Sequence, residues 1–201
     1  MTKLTSLSVT DLLAALRSPD PTPGGGSAAA LAGAIGASLL AMVAALPKSR
    51  AASEEHVEHL KDAGERCAAA SAELEALVDR DSDAYDLVVT AYKKLKATDE
   101  EKSARSTAIQ AALREAIAAP LAVMRACAAA AGHGAVIAAL GNPSASSDVQ
   151  VGFELLGAGL RGAKQNVEIN LGSVKDAEYV AWVRAEVSLI ESAFARTQGV
   201  V

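Results

Sequence analysis

The chain has 201 residues and a formal net charge of −5, and 51% of it is apolar but only 3% aromatic. That length makes one domain with a real core, and the acidic balance argues against a nucleic-acid or anionic-membrane partner. Alanine dominates the apolar fraction, and the β-branched and aromatic runs that read as strands are missing. The expected fold is therefore all-α: a single-domain bundle (1–201) of long antiparallel helices around a buried Ala/Gly-rich helix.

Cys67 and Cys127 show no CxxC spacing, so neither a disulfide framework nor a metal site is expected. Met1 to Ser18 carries charge and a short amphipathic pattern where a secretory signal would carry an apolar run, which makes a reducing cytoplasm the default.

In chain order, residues 8–18 read as a short helix with Val9, Leu12, Leu13 and Leu16 on one face. Pro21-Thr-Pro-Gly-Gly-Gly-Ser27 follows. The prolines keep this loop out of a helix, and the glycines let a ligand or another backbone come close. Ser27 or a glycine can cap the next helix, whose first amides are free to meet an anionic or carbonyl-rich ligand. The same glycines also suit a helix that merely starts in a crowded place. From Pro21 to Pro47 no residue is charged, long enough to cross a bilayer, but the alanines and glycines favour a buried central helix over about 26–46.

After Lys48-Ser-Arg50, Ser53 starts a long helix. Val57, Leu60, Gly64, Cys67, Ser71, Leu74, Val78, Asp81, Tyr85, Val88, Tyr92 and Leu95 form a seam in steps of three and four. Asp81 is its one charged member. A buried carboxylate must be paired, hydrogen-bonded or protonated, and desolvation raises its pKa into the range of a general acid/base. It serves equally as a polar anchor between helices. Thr98-Asp-Glu-Glu101 is a capping box opening another helix, which Pro120 is expected to kink or restart before a segment from Leu121 to about Leu140. Gly141–Ser147 is a loop, with Ser147 or Asp148 capping a helix to about residue 169. That helix carries a small and polar stripe of Asp148, Gly152, Leu155, Gly159, Gly162 and Asn166, which predicts a closely packed helix or a flat ligand. Asp148 and Asn166 are about 27 Å apart along it, so one small pocket holds both only across a second subunit or an extended ligand. A last helix covers about 176–197. His56, His59 and His133 read as solvated or structural, and nucleotide, hydrolase and zinc-protease motifs fail on spacing.

Pro21-x-Pro-Gly-Gly-Gly-Ser27-x-Ala-Ala-Leu31, Ala41-Met-Val43, Asp81-x-x-Ala-Tyr85, Arg105 with Ala108-Ile-Gln110, Pro120-Leu121, Gly141-Asn142, Ser147-Asp148 and Asn166-Val-x-Ile-Asn170 occur in that order. In these motifs, spread over essentially the whole chain, the sequence resembles the formiminotransferase-cyclodeaminase C-terminal family, also called the cyclodeaminase/cyclohydrolase family. The resemblance implies an all-α homodimer that uses a tetrahydrofolate derivative as substrate and needs no metal. It implies a cyclodeaminase, converting 5-formiminotetrahydrofolate to 5,10-methenyltetrahydrofolate and ammonia, with a separate formiminotransferase as a partner. The alternatives are a methenyltetrahydrofolate cyclohydrolase and a non-catalytic folate- or partner-binding dimer. Asp81 is then the proton-transfer residue. Pro23, Gly24, Gly25, Gly26 and Ser27 lie against the ligand, Asn142, Asp148 and Asn166 make polar contacts, and Lys48, Arg50, Lys96 and Arg105 meet the glutamate tail. The short Leu46-Pro-Lys-Ser-Arg50 exit and the missing proline before Lys96 depart from many relatives and bear on tail recognition.

Overall fold

The structure, a computed structural model, describes residues 3–197 and 199. Among these it contains six α-helices and no strand: α1 (Val9–Arg17), α2 (Gly25–Ala45), α3 (Glu54–Tyr92), α4 (Asp99–Leu140), α5 (Ser146–Leu171) and α6 (Ala177–Ala195), with 3₁₀ turns at Leu4–Ser6 and Pro143–Ala145.

α2 is the centre. α3 and α5 flank it, α4 closes the bundle behind, and α6 packs on α4. Small residues set these distances. A Cβ at Gly36 would lie 2.6 Å from the Gly152 carbonyl oxygen, and one at Gly159 2.8 Å from that of Ala29, so α2 and α5 meet backbone to backbone. The small stripe of α5 thus faces a helix. Ser71 ties α3 to α2, its hydroxyl donating to the Ala34 carbonyl at 3.0 Å.

Ser53, with its side chain accepting from the His56 amide, starts α3, and the Thr98–Glu101 capping box starts α4. The α3 seam is buried at Leu60, Cys67, Leu74 and Val78 and half-buried at Gly64 and Ser71, whereas Tyr85 and Tyr92 are exposed and Leu95 lies beyond the helix. The reason is length. α2 begins at Gly25, level with Asp81, and beyond that point α3 packs on α4 over a small cluster of Ala91, Ile109, Ala112 and Leu113, with Val174 against it.

Two sequence expectations need correction. α4 runs unbroken through Pro120. Proline leaves the carbonyl four residues earlier without its helical donor, and here the Asn170 side-chain amide replaces it, donating to Ala116 O at 3.1 Å. α5 is not capped by Ser147 or Asp148; the 3₁₀ turn feeds into it directly, and Asn142 caps that turn by accepting from the Ser144 amide at 2.9 Å. α1 forms as expected, with Ser8 as its cap; Leu12 and Leu16 are half-buried and Val9 is 76% exposed.

α2 is long and apolar enough to cross a membrane, as is part of α4. In the bundle Gly26, Ser27, Ala30, Gly33, Ala37, Leu40 and Val43 of α2 are buried against other helices.

Candidate active site

Gly24, the residue before α2, has no side chain with which to cap it. The acceptor comes from another helix instead. Asp81 Oδ2 accepts from the Ser27 amide at 3.0 Å, the third position of α2, where a capping oxygen normally binds. Residue 26 must be glycine for this to happen, because a Cβ there would overlap the Asp81 carboxylate. The loop before it carries the cis Thr22–Pro23 bond.

Ser27 is buried, and its hydroxyl has one proton to give. Val78 O lies at 2.9 Å and Asp81 Oδ2 at 3.4 Å, so the shorter contact to the carbonyl takes the proton. The Ser27 oxygen is then free to accept from Asp81 when that carboxyl is protonated, so the pocket accommodates both states. Burial pushes the Asp81 pKa upward, and the hydrogen bond from the Ser27 amide pulls against that without overcoming it. Asp81 Oδ1 makes no hydrogen bond within the described residues, and no buried side-chain oxygen or nitrogen among them lacks a partner. Oδ1 therefore faces accessible space. One oxygen is held and the other is available.

Asn166 joins this cluster from α5. Its side-chain nitrogen donates to Gly162 O at 3.0 Å and would lie 3.9 Å from a Cβ at Gly25. Asn170, one turn on, donates to Asn166 O at 2.9 Å and, through its bond to Ala116, locks this end of α5 to α4. The structure thus brings together Gly24, Gly25, Gly26, Ser27, Asp81 and Asn166, with Pro23 beside them. Ser82, whose hydroxyl lies 3.4 Å from that of Ser27, was not singled out from sequence. Its adjacency to Asp81 was the available signal.

The remaining sequence candidates lie elsewhere. Lys48, Arg50, Asn142 and Asp148 sit at the carboxy end of α2, about 30 Å away along the helix axis. There Asn142 is a staple, donating to Pro47 O at 2.7 Å while it caps the 3₁₀ turn. The Arg50 amide donates to Leu140 O at 2.8 Å, and Lys48 holds a left-handed backbone, φ 60°. Lys96 and Arg105 lie at the α3–α4 turn, about 16 Å beyond Asp81 along α3. Arg105 donates to the Tyr92 carbonyl from Nε (3.2 Å) and Nη2 (3.1 Å), and its guanidinium lies 5.4 Å from the Tyr92 ring centre.

Surface cavities of about 250 Å³ to about 420 Å³ occur among the described residues, lined by residues other than Asp81, Ser27 and Asn166. Nor do three or more His, Cys, Asp or Glu side chains among them converge as metal ligands. A single carboxyl with a raised pKa, one oxygen anchored at a helix amino terminus and the other open, can take a proton from one ligand atom and return it to another.

The family model described as formiminotransferase-cyclodeaminase matches residues 8–189. A methenyltetrahydrofolate cyclohydrolase of Methylorubrum extorquens is 38% identical over 164 residues, covering 82% of this chain and 79% of that protein. The formimidoyltransferase-cyclodeaminase of Sus scrofa is 39% identical over 170 residues; these are 83% of this chain but 31% of that longer protein. The crystal structure of formiminotetrahydrofolate cyclodeaminase from Thermotoga maritima superposes with a TM-score of 0.85 at 26% identity, covering 98% of this chain and 97% of that one.

Proposed function

We propose, from the premise that this chain belongs to the formiminotransferase-cyclodeaminase family, that it is a formiminotetrahydrofolate cyclodeaminase with Asp81 as its proton shuttle. Membership makes it a folate one-carbon enzyme of the cyclodeaminase/cyclohydrolase type. The observation that carries the narrower reading is the half-held Asp81 carboxyl with its pKa raised by burial.

Cyclodeamination joins N10 to the formimino carbon on N5 and expels the formimino nitrogen as ammonia. As the N10–C bond forms, N10 must lose its proton; as the C–N bond breaks, the departing nitrogen must gain one. Asp81 Oδ1 takes the first proton and supplies the second, while the Ser27 amide keeps Oδ2 fixed. A raised pKa serves this role, since the acid form must persist long enough to be used. The Gly24–Gly26 backbone lets the flat substrate approach, and Asn166 offers an amide to its polar edge. The folate enters as substrate, and the mechanism assigns no step to a metal. The reading includes a homodimer, a separate formiminotransferase as supplier of the formimino compound, and a reducing cytoplasm; the two buried free thiols suit such a compartment.

A second reading, methenyltetrahydrofolate cyclohydrolase, is favoured by the Methylorubrum extorquens relative, whose length this chain mostly spans. Asp81 would then take a proton from the attacking water. One assay separates the two. Purified protein is given 5-formiminotetrahydrofolate or 5,10-methenyltetrahydrofolate and the methenyl absorbance is followed. Appearance of methenyl compound with ammonia establishes the cyclodeaminase, and accelerated methenyl decay establishes the cyclohydrolase. No change with either leaves the folate-binding dimer.

A further inference from the structure

Asp81 is not the only half-used polar group at the amino end of α2. Asn166 of α5 is half-buried, and its side-chain nitrogen donates to Gly162 O at 3.0 Å. A carbonyl only accepts, so this bond fixes the orientation of the amide: Nδ2 turns back onto the helix and Oδ1 turns away from it. Oδ1 has no donor among the described residues, where every buried side-chain oxygen has a partner, so it faces accessible space. Its setting is firm. Asn170 donates to Asn166 O at 2.9 Å and to Ala116 O at 3.1 Å, and so pins this turn of α5 to α4.

The two open oxygens belong to one neighbourhood. A Cβ at Gly25 would stand 3.9 Å from Asn166 Nδ2, and a Cβ at the next residue, Gly26, would overlap the Asp81 carboxylate. Two successive glycines therefore floor a space that has an acceptor from α3 and another from α5. No lysine or arginine among the described residues pairs with Asp81. Acceptors without a cation suit a ligand group that brings its own N–H bonds and positive charge.

We infer that Asn166 is a specificity-determining residue of this site: its Oδ1 accepts one N–H of the formimino nitrogen, whose other side faces Asp81 Oδ1. The inference rests on the cyclodeaminase reading above and says how that site tells a nitrogen from an oxygen on the N5 substituent. A formimino group is an amidine, protonated at neutral pH, so its outer nitrogen carries two N–H bonds and a share of the charge. The formyl group is its oxygen isostere. It offers lone pairs at the same place and meets Asn166 Oδ1 acceptor to acceptor. The same contact orders the chemistry. Once N10 has added to the formimino carbon, the outer nitrogen is an amine with two N–H bonds and one lone pair. Holding one N–H on Asn166 turns that lone pair toward Asp81 Oδ1, which carries the proton taken from N10. The proton passes to the nitrogen, the C–N bond breaks and its electron pair leaves with ammonia. The N5 lone pair then closes the methenyl C=N bond. Asn166 itself gives and takes no proton.

Steady-state kinetics of the full chain with 5-formiminotetrahydrofolate, and its inhibition by 5-formyltetrahydrofolate, test this. The wild type is expected to prefer the formimino compound. In Asn166→Leu, kcat/KM for that compound is expected to fall by about 10- to 100-fold, the worth of a hydrogen bond to a charged group, while Ki for the formyl compound stays level or falls. Asn166→Asp keeps an acceptor and is expected to retain the preference. A residue that only held α5 in place would move both ligands together, so the ratio separates the two roles once circular dichroism shows the fold kept. The inference is overturned if Asn166→Leu weakens both ligands alike, if it leaves the preference at its wild-type size, or if Asn166→Asp loses the preference as fully as Asn166→Leu. Failure of the cyclodeaminase reading looks different, since the formimino compound is then not turned over at all. Calorimetry with the two compounds in that case measures the preference directly. Equal affinities in the wild type overturn the inference, and a formimino preference that Asn166→Leu abolishes upholds it.

Discussion

At the amino end of α2 a carboxylate, a serine and an asparagine gather round three glycines, and one oxygen of Asp81 is left over after the protein's own hydrogen bonds are made. At the carboxy end Asn142 uses its amide nitrogen and oxygen on Pro47 and Ser144, and the Arg50 amide closes on Leu140. Similar residue types do different work at the two ends. The first end strains against burial, with a carboxyl whose pKa is raised; the second relieves the orphan groups of chain turns. A polar residue that a fold has fully used is a poor candidate for chemistry, and one that it has half used is a good one.

Asp81→Asn probes this contrast with the largest effect. Asparagine keeps the shape and can still accept from the Ser27 amide, but it cannot carry a proton. Turnover should fall by about 10² to 10⁴, the usual contribution of a positioned acid/base group, with the fold intact by circular dichroism. The variant also carries a stability signature. The folded-state pKa of Asp81 lies above its unfolded value near 3.8, so between those two values the folded chain holds more protons than the unfolded one. Wild-type stability from this group is present at low pH and is lost as pH rises through the folded pKa. The melting temperature of Asp81→Asn relative to wild type should accordingly rise with pH across that window and level off above it. A flat difference would show that Asp81 is an ordinary solvated carboxylate.

Gly26→Ala comes next. The added methyl overlaps the Asp81 carboxylate and not the tip of a flexible chain, so α2 or α3 must shift, at a cost of about 1–3 kcal/mol. Gly132→Ala is the control, since a Cβ at Gly132 meets nothing within 4 Å. Chemical denaturation should separate the two clearly, and only Gly26→Ala should abolish turnover.

Asn142→Ala tests the opposite end. Losing a cap and a side-chain hydrogen bond should cost about 1–2 kcal/mol by thermal or urea unfolding. Turnover per folded molecule should change far less than in Asp81→Asn. A reversed pattern, with stability kept and KM raised, would make Asn142 a substrate contact after all.

The helices and the Asp81 cluster were legible because their signals are local or periodic. The Thr98–Glu101 box, the Ser53 cap and the three-four seam each specify themselves within a few turns, and a carboxylate on that seam stands out. What was not legible depends on distant partners. Pro120 reads as a kink or restart because the donor that replaces its missing bond, Asn170, lies 50 residues later. Which three-dimensional end of α2 receives Asn142 or Asn166 is equally invisible along the chain. The α5 stripe showed that something packs closely on it without showing that the partner is α2.

Arg105 gives the smallest expected effect and bears on the α3–α4 turn, which lies away from both ends of α2. Its two donors both go to the Tyr92 carbonyl, one of the last carbonyls of α3, and its plane lies over the Tyr92 ring. Read this way, Arg105 is a carboxy-terminal cap for α3, with its Nε–Nη2 edge given to the Tyr92 carbonyl. Arg105→Lys keeps the charge and loses the paired geometry and most of the stacking, so about 0.5–1 kcal/mol of stability should go. If the residue also binds a glutamate tail, KM should rise more steeply for folates with several glutamates than for those with one. If it is only a cap, the ratio of KM values for long and short tails will match wild type while the melting temperature falls. The cap reading predicts the second result, because the pair of bonds to the Tyr92 carbonyl is a contact within the chain that holds whatever the length of the ligand's tail.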